Sequence, residues 1–222
     1  MERQKASAPR AYRAPLREDS ALRTRRLITK ASKDVFEKHG WSGATVSAIA
    51  QRAGVSQSSV EALFGTKPAL LQAAVDFAIR GDIDPRPIRE REITHQIEAA
   101  PDAISMLELH AGHLRGVHSR SAHLAFVVEQ AAKADKGALA LWRRMNTNRR
   151  DGVEWAARTL LAKPATKHLA PSDVETTFWV ALDWGNYRLL TDYTGLSNQA
   201  YEEWVLGYYL RMFALPRRAR RS

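Results

Sequence analysis

Gly54 constrains this chain more than any other residue. Before it, Thr45 is a capping residue, and Val46, Ile49, Ala50 and Ala53 share one side of the helix that Thr45 starts. After it, Val55 is apolar and Ser56 is a second capping residue. Val60, Leu63 and Phe64 then share one side, with Gln57, Ser58, Ser59, Glu61 and Ala62 on the other. Two short helices with a glycine between them are expected to turn sharply, because glycine tolerates a positive φ, and Val55 can plug the angle. The segments on either side extend the helical pattern. One helix is predicted from about Asp19 to His39, with Ser20 as N-cap, Leu27, Ile28, Ala31, Val35 and Phe36 on one face, and Gly40 as its stop. Another is predicted after Thr66, with Pro68 tolerated in its first turn, Leu70, Leu71, Ala74, Phe77 and Ala78 inside, and Gly81 at its end.

The rest of the chain reads the same way. Only 12 Gly and 9 Pro interrupt 222 residues, and 45% of the residues are hydrophobic, which favours an all-α fold with a real core. After a loop at 81–87, a polar helical stretch is expected near 88–99. Pro101 and Asp102 open a helix to about Ser119. Further helices are expected at about 121–134 and 138–162, and Pro164 and Pro171 bracket a linker. Ser172 and Glu175 have the spacing of a capping box for a helix running to Tyr193, and Ser197 starts a last helix ending before Pro216. No internal repeat is visible.

Composition removes several classes of function. Cysteine is absent, so disulfides, thiolate metal sites and thiol nucleophiles are excluded. The longest stretch without Asp, Glu, Lys or Arg is His39–Gln51, 13 residues, too short to span a bilayer. The first 30 residues lack the apolar core of a secretory signal, so a cytoplasmic location and no membrane partner are expected. No Gly-rich phosphate loop, paired carboxylate motif or Gly-x-Ser-x-Gly elbow occurs. Neither catalysis nor a cofactor is expected.

Charge is distributed unevenly. Residues 1–67 carry 13 Lys/Arg against 6 Asp/Glu, a net of +7. Residues 68–215 carry 17 against 18, and residues 216–222 add four arginines. The surplus at the front points to a polyanion. The segment 45–64 meets the requirements of a helix-turn-helix, whose second helix can bring short polar side chains to base edges and backbone N–H groups to phosphate. Gln57 is the residue type that pairs bidentately with adenine. Ser58 and Ser59 can reach bases or phosphates, and Lys67 is placed for a phosphate. Residues 1–18, with Pro9 and Pro15 and scattered arginines, read as a disordered basic arm, and 216–222 as a basic tail.

These residues carry a family resemblance. Ile28, Ala31, Phe36, Gly40, Thr45-Val46, Ile49-Ala50, Ala53-Gly54-Val55-Ser56, Phe64, Lys67 and Leu70-Leu71 resemble the DNA-binding domain of TetR-type transcriptional regulators over residues 27–74. The resemblance implies a wholly helical homodimer with the DNA-binding domain at 19–81 and a larger ligand-binding and dimerisation domain at 82–215. It implies double-stranded DNA as a partner, contacted by Thr45, Ser56, Gln57, Ser58, Ser59, Glu61 and Lys67, with Thr45 on a phosphate. It also implies repression relieved by a small-molecule effector. Three positions depart from the family pattern. Ser58 replaces a usual glycine, Glu61 a phosphate-contacting tyrosine and Ala62 a frequent histidine. A carboxylate at 61 repels phosphate but can accept from a cytosine amino group.

In the C-terminal part, the stretches 174–193 and 201–215 are apolar nearly all round, so each needs cover on two sides. Phe178, Ala181, Gly185 and Leu189, with Val205, Tyr208 and Met212, are expected at a two-fold interface. Met106, His110, His113, Phe126, Trp142, Met145 and Trp155 are the expected lining of a largely apolar ligand pocket, although the same residue types also build ordinary cores. With no suitably spaced carboxylate except Glu108, which points elsewhere, His110, His113 and His118 are expected as polar pocket or surface residues and not as metal ligands. The alternative is a DNA-binding dimer whose C-terminal domain only dimerises.

Overall fold

The computed structural model describes residues 10–82 and 86–216. Among them every regular element is helical. The chain divides into two compact units, Met1–Ala74 and Val75–Ser222.

In the first unit α1 (Arg10–Gly43) is interrupted at Gly40, whose φ of 63° and ψ of −170° are open only to glycine. Helix α1 starts nine residues before the expected Asp19. Residues 10–18 are therefore helix where a disordered arm was expected, with Pro15 inside it and the helix formers Ala11, Arg13, Ala14, Leu16 and Arg17 around it. Met1–Pro9 lie outside the described residues. Ser20 is consequently interior to α1 and not its cap. Leu27 is also off the inner face, at 48% exposed, whereas Ile28, Ala31, Val35 and Phe36 are buried.

Thr45 caps α2 (Val46–Ala53) by accepting from the Ala48 N–H at 3.1 Å. Gly54 closes α2 in the left-handed region, φ 68° and ψ 34°. The Gly54 N–H donates to the Gln51 carbonyl and the Val55 N–H to the Ala50 carbonyl, the paired bonds of a Schellman stop. Helix α3 (Gln57–Phe64) follows at once, and α4 (Lys67–Arg80) begins after a further positive-φ glycine, Gly65. Thr66 caps α4 through the Ala69 N–H at 3.3 Å. The core of this unit is Ile28, Phe36, Ile49, Val60, Phe64, Leu70 and Leu71. The unit boundary falls within α4.

The second unit is built on one long helix. Two helices were expected over 102–134, but α6 (Ala103–Ala132) is continuous. No Gly or Pro stands at 117–121 to break it, and the Ser121 hydroxyl bonds back to the Val117 carbonyl within the helix. Asp102 caps it through the Ser105 N–H at 2.8 Å. Around α6 pack α5 (Glu92–Glu98), α7 (Lys136–Leu161), α9 (Trp184–Arg188) and α10 (Asn198–Met212), with α8 (Pro171–Ala181) against α7.

The stretch 172–193 departs most from expectation. The capping box does not form, since Pro171 takes the first helical position and Ala170 becomes the N-cap, leaving Ser172 inside the first turn. The helix then stops at Leu182. Asp183 restarts it by capping the Gly185 N–H at 2.7 Å, and a π-helical turn covers Leu189–Tyr193. Ser197 caps α10 through the Ala200 N–H at 3.2 Å. Of the expected basic tail, residues 217–222 lie outside the described residues.

Candidate nucleic-acid interface and ligand cavity

The start of α3 is a cluster of hydroxyls. Ser56 has extended backbone geometry and its Oγ accepts from the Ser59 N–H at 3.1 Å. That oxygen lies 2.9 Å from the Ser58 Oγ and 2.7 Å from the Ser59 Oγ. Val60 and Phe64 anchor the inner side of α3. Gln57, Ser58, Glu61 and Ala62 are exposed and Ser59 is half-buried, so the polar start of the helix is open. The Gln57 amide donates to the Glu61 carboxylate at 2.8 Å, one turn along. The carboxylate and the expected adenine reader are thus already joined. Thr45 is exposed beside its capping bond. Lys67 is half-buried. Its ammonium donates to the Trp41 carbonyl and sits 4.4 Å from the Trp41 ring centre, held back toward the Gly40 turn.

In the second unit a cavity of about 440 Å³ opens between the C-terminal end of α4, the segment 87–94, α6 and α7, and the α8–α9 corner. This is within the usual size range of small-molecule sites. Of the expected lining residues, His110, His113, Met145 and Trp155 lie on its wall. Met106 does not and is fully buried in the core. Phe126 is 40% exposed beneath the Arg188 guanidinium, 3.8 Å from its ring centre. Because α6 is unbroken, Phe126 is carried about 20 Å along the axis from His113, at 1.5 Å per residue. Trp142 is half-buried and faces Trp184, with ring centres 6.5 Å apart.

The cavity is less apolar than expected. Arg80, Arg89, Arg144 and Arg149 line it, with Asp76 and Asp151. They come from α4, the segment before α5, and α7, so only the fold brings the three groups together. Arg144 pairs with Asp76 at 2.9 Å, and Arg149 with Asp183 at 2.8 Å. Arg149 also donates to the Trp179 carbonyl and stacks on the Trp179 ring, 4.0 Å from its centre.

Three histidines border the cavity. His118 Nδ1 is 2.7 Å from the Tyr201 hydroxyl, and His110 Nδ1 is 3.1 Å from the Tyr209 hydroxyl. The two pairs repeat after eight residues on the antiparallel helices α6 and α10. Burial pushes His110 and His118 down to about 3. His113 is lowered to about 4, first by burial and then by Arg120 and Arg91. All three rings are neutral at pH 7. Among the described residues no group of three or more His, Asp or Glu side chains is placed to hold a metal ion.

The expected interface residues separate. Phe178, Ala181 and Val205 are buried within the chain itself, at 0%, 1% and 0% exposed. Tyr208 is half-buried, stacked on Trp204 with ring centres 5.7 Å apart. Gly185, Leu189 and Met212 are exposed. The break at Asp183 puts Ala181 and Gly185 on different helices, so their i, i+4 relation is lost. Val180 and Tyr193, which sequence reasoning did not select, are also exposed.

Residues 28–74 match the model of bacterial regulatory proteins of the tetR family. The matched segment is 47 of the 222 residues. The match spans α1 from Ile28, all of α2 and α3, and α4 to Ala74, so the open start of α3 lies inside it. Solved structures share the fold beyond this segment. A chain from Pseudomonas aeruginosa PAO1, described as a transcriptional regulator, is 16% identical, with a TM-score of 0.62 over 86% of this chain and 90% of that one. A TetR-like transcriptional regulator from Rhodococcus sp. RHA1 is 17% identical, with a TM-score of 0.55 over 86% and 96%. The multidrug binding protein EbrR, solved with imidazole, is 19% identical, with a TM-score of 0.51 over 89% and 98%. Among curated proteins no sequence matches. No described helix is long and apolar enough to cross a membrane.

Proposed function

We propose that the protein is a homodimeric, sequence-specific repressor, released from its operator by a small molecule held in the second unit. The observation that carries the DNA reading is the open polar start of α3 within a TetR-type domain, where Ser56–Ser59 and Gln57 sit at a helix N-terminus. Two such helices in a dimer enter successive major grooves about 34–36 Å apart. Gln57, Ser58 and Ser59 meet bases or phosphates, and Thr45 and Ser56 meet phosphate. Lys67 reaches phosphate only by leaving the Trp41 carbonyl. Glu61 either accepts from a cytosine amino group or stays on Gln57.

Exposed Leu189, Tyr193, Val180 and Met212 supply an apolar surface for the partner protomer. The cavity supports the effector reading over a C-terminal domain that only dimerises. A ligand releases DNA by preferring the conformation that binds it less well, and only by that difference in affinity. Selection of bound duplexes from random DNA, followed by titration at two salt concentrations, tests the DNA reading. A two-fold symmetric site whose affinity falls steeply with salt is expected. Salt-insensitive binding refutes it.

A further inference from the structure

The cavity places unpartnered donors among its walls. Arg149 and Trp184 are each only 9% exposed. The Arg149 Nε and the Trp184 indole N–H are buried and meet no acceptor, and the same holds for the Nε of Arg80 and Arg144. All four residues line the cavity. Buried donors are ordinarily satisfied, so donors concentrated at one cavity point to an acceptor supplied by something else.

The charges agree. Four arginines face two aspartates on the wall, and the histidines there add no charge because they are neutral. Asp76 already pairs with Arg144, and Asp183, outside the lining, with Arg149. Asp151 approaches Arg89 at 3.6 Å. The four arginines still outnumber the three aspartates set against them. Leu114, Val117, Met145 and Trp155 supply an apolar wall.

From the unpartnered Arg149 and Trp184 donors in this arginine-lined cavity, we infer that the effector is an organic anion. Its carboxylate or equivalent acceptor group faces Arg144, Arg149 and Trp184, and its apolar body lies on Trp155 and Met145. This rests on the reading of the cavity as the effector site. It replaces a largely apolar ligand with an amphiphilic acid, because a purely apolar molecule would leave the donors without partners.

The test uses the full-length protein and three compounds of one skeleton, naphthalene-2-carboxylate, naphthalene-2-carboxamide and 2-(aminomethyl)naphthalene. Binding is read by thermal shift and tryptophan fluorescence, and release of the selected duplex is read alongside. The acid is expected to bind at least about tenfold more tightly than the amide, the amine not at all. Trp184→Phe removes the indole N–H while keeping a ring, and should weaken the acid about fivefold or more with little effect on the amide. Arg144→Gln serves as a second variant, with the same expected ranking. If the amide or amine binds as well as the acid, the anionic assignment fails while the cavity remains an effector site. If none of the three binds, the anionic assignment also fails. A broad library scored for both stabilisation and DNA release then decides the effector reading separately.

Discussion

Gly54→Ala isolates the turn on which the reading of α2 and α3 depends. Gly54 adopts φ 68°, ψ 34°, and an added Cβ would meet no atom within 4 Å. No steric clash with neighbouring residues therefore contributes. What remains is the cost of placing an L-residue in the left-handed region, about 1–2 kcal/mol. Asn, which visits that region more readily, should cost less. Gly40 has equally open space but ψ of −170°, a region even Asn avoids, so Gly40→Ala should cost more, up to about 3 kcal/mol. Hydrogen exchange of peptides spanning 45–64 reads the local effect. A loss of about 1–2 kcal/mol raises exchange roughly 5–30-fold in amides that open with this unit. Affinity for the selected duplex should fall in the same order, Asn less than Ala. If Gly54→Ala leaves exchange unchanged, or Asn costs as much as Ala, the left-handed stop is not what sets the angle between α2 and α3.

Acidification should destabilise the second unit. His110, His113 and His118 titrate near 3, 4 and 3 when folded but near 6.5 when unfolded, so unfolding takes up protons below about pH 6.5. Their contribution is complete above pH 6.5 and is lost as pH falls toward 3. Urea unfolding at stepped pH should show stability falling by roughly 1 kcal/mol per pH unit per buried histidine in that window, and a flat profile between pH 6.5 and 4.5 would contradict the buried neutral pairs. Leu189→Glu with Met212→Glu, both at exposed positions, should shift sedimentation toward monomer without loss of helix, whereas an unchanged dimer would place the interface elsewhere. Glu61→Gln removes a carboxylate from the proposed DNA face. Non-specific duplex affinity should rise several-fold and its salt dependence steepen, and an unchanged affinity would mean that Glu61 faces away from phosphate.

From Ile28 onward the first unit was readable before any fold was known. Its signals are local: capping residues at Thr45, Ser56 and Thr66, glycines at turns that need positive φ, and a 3.6-residue apolar period between them. Each acts over a few residues, so each is legible without knowing the fold. The same logic located α7 and α10. Packing settled what depends on contacts distant in sequence. Whether α6 breaks near Ser119 was not written in any local signal, and its continuity moved Phe126 away from the cavity. The restart at Asp183 reset the helical phase and parted exposed Gly185 and Leu189 from buried Phe178 and Ala181. The cavity wall was the least legible feature, because Arg80 on α4, Arg144 and Arg149 on α7 and Trp184 on α9 acquire a common environment only when the chain packs. An arginine on a helix reads as a solvated charge in sequence, and burial beside Asp183 and Trp179 is what turns Arg149 into a candidate binding group.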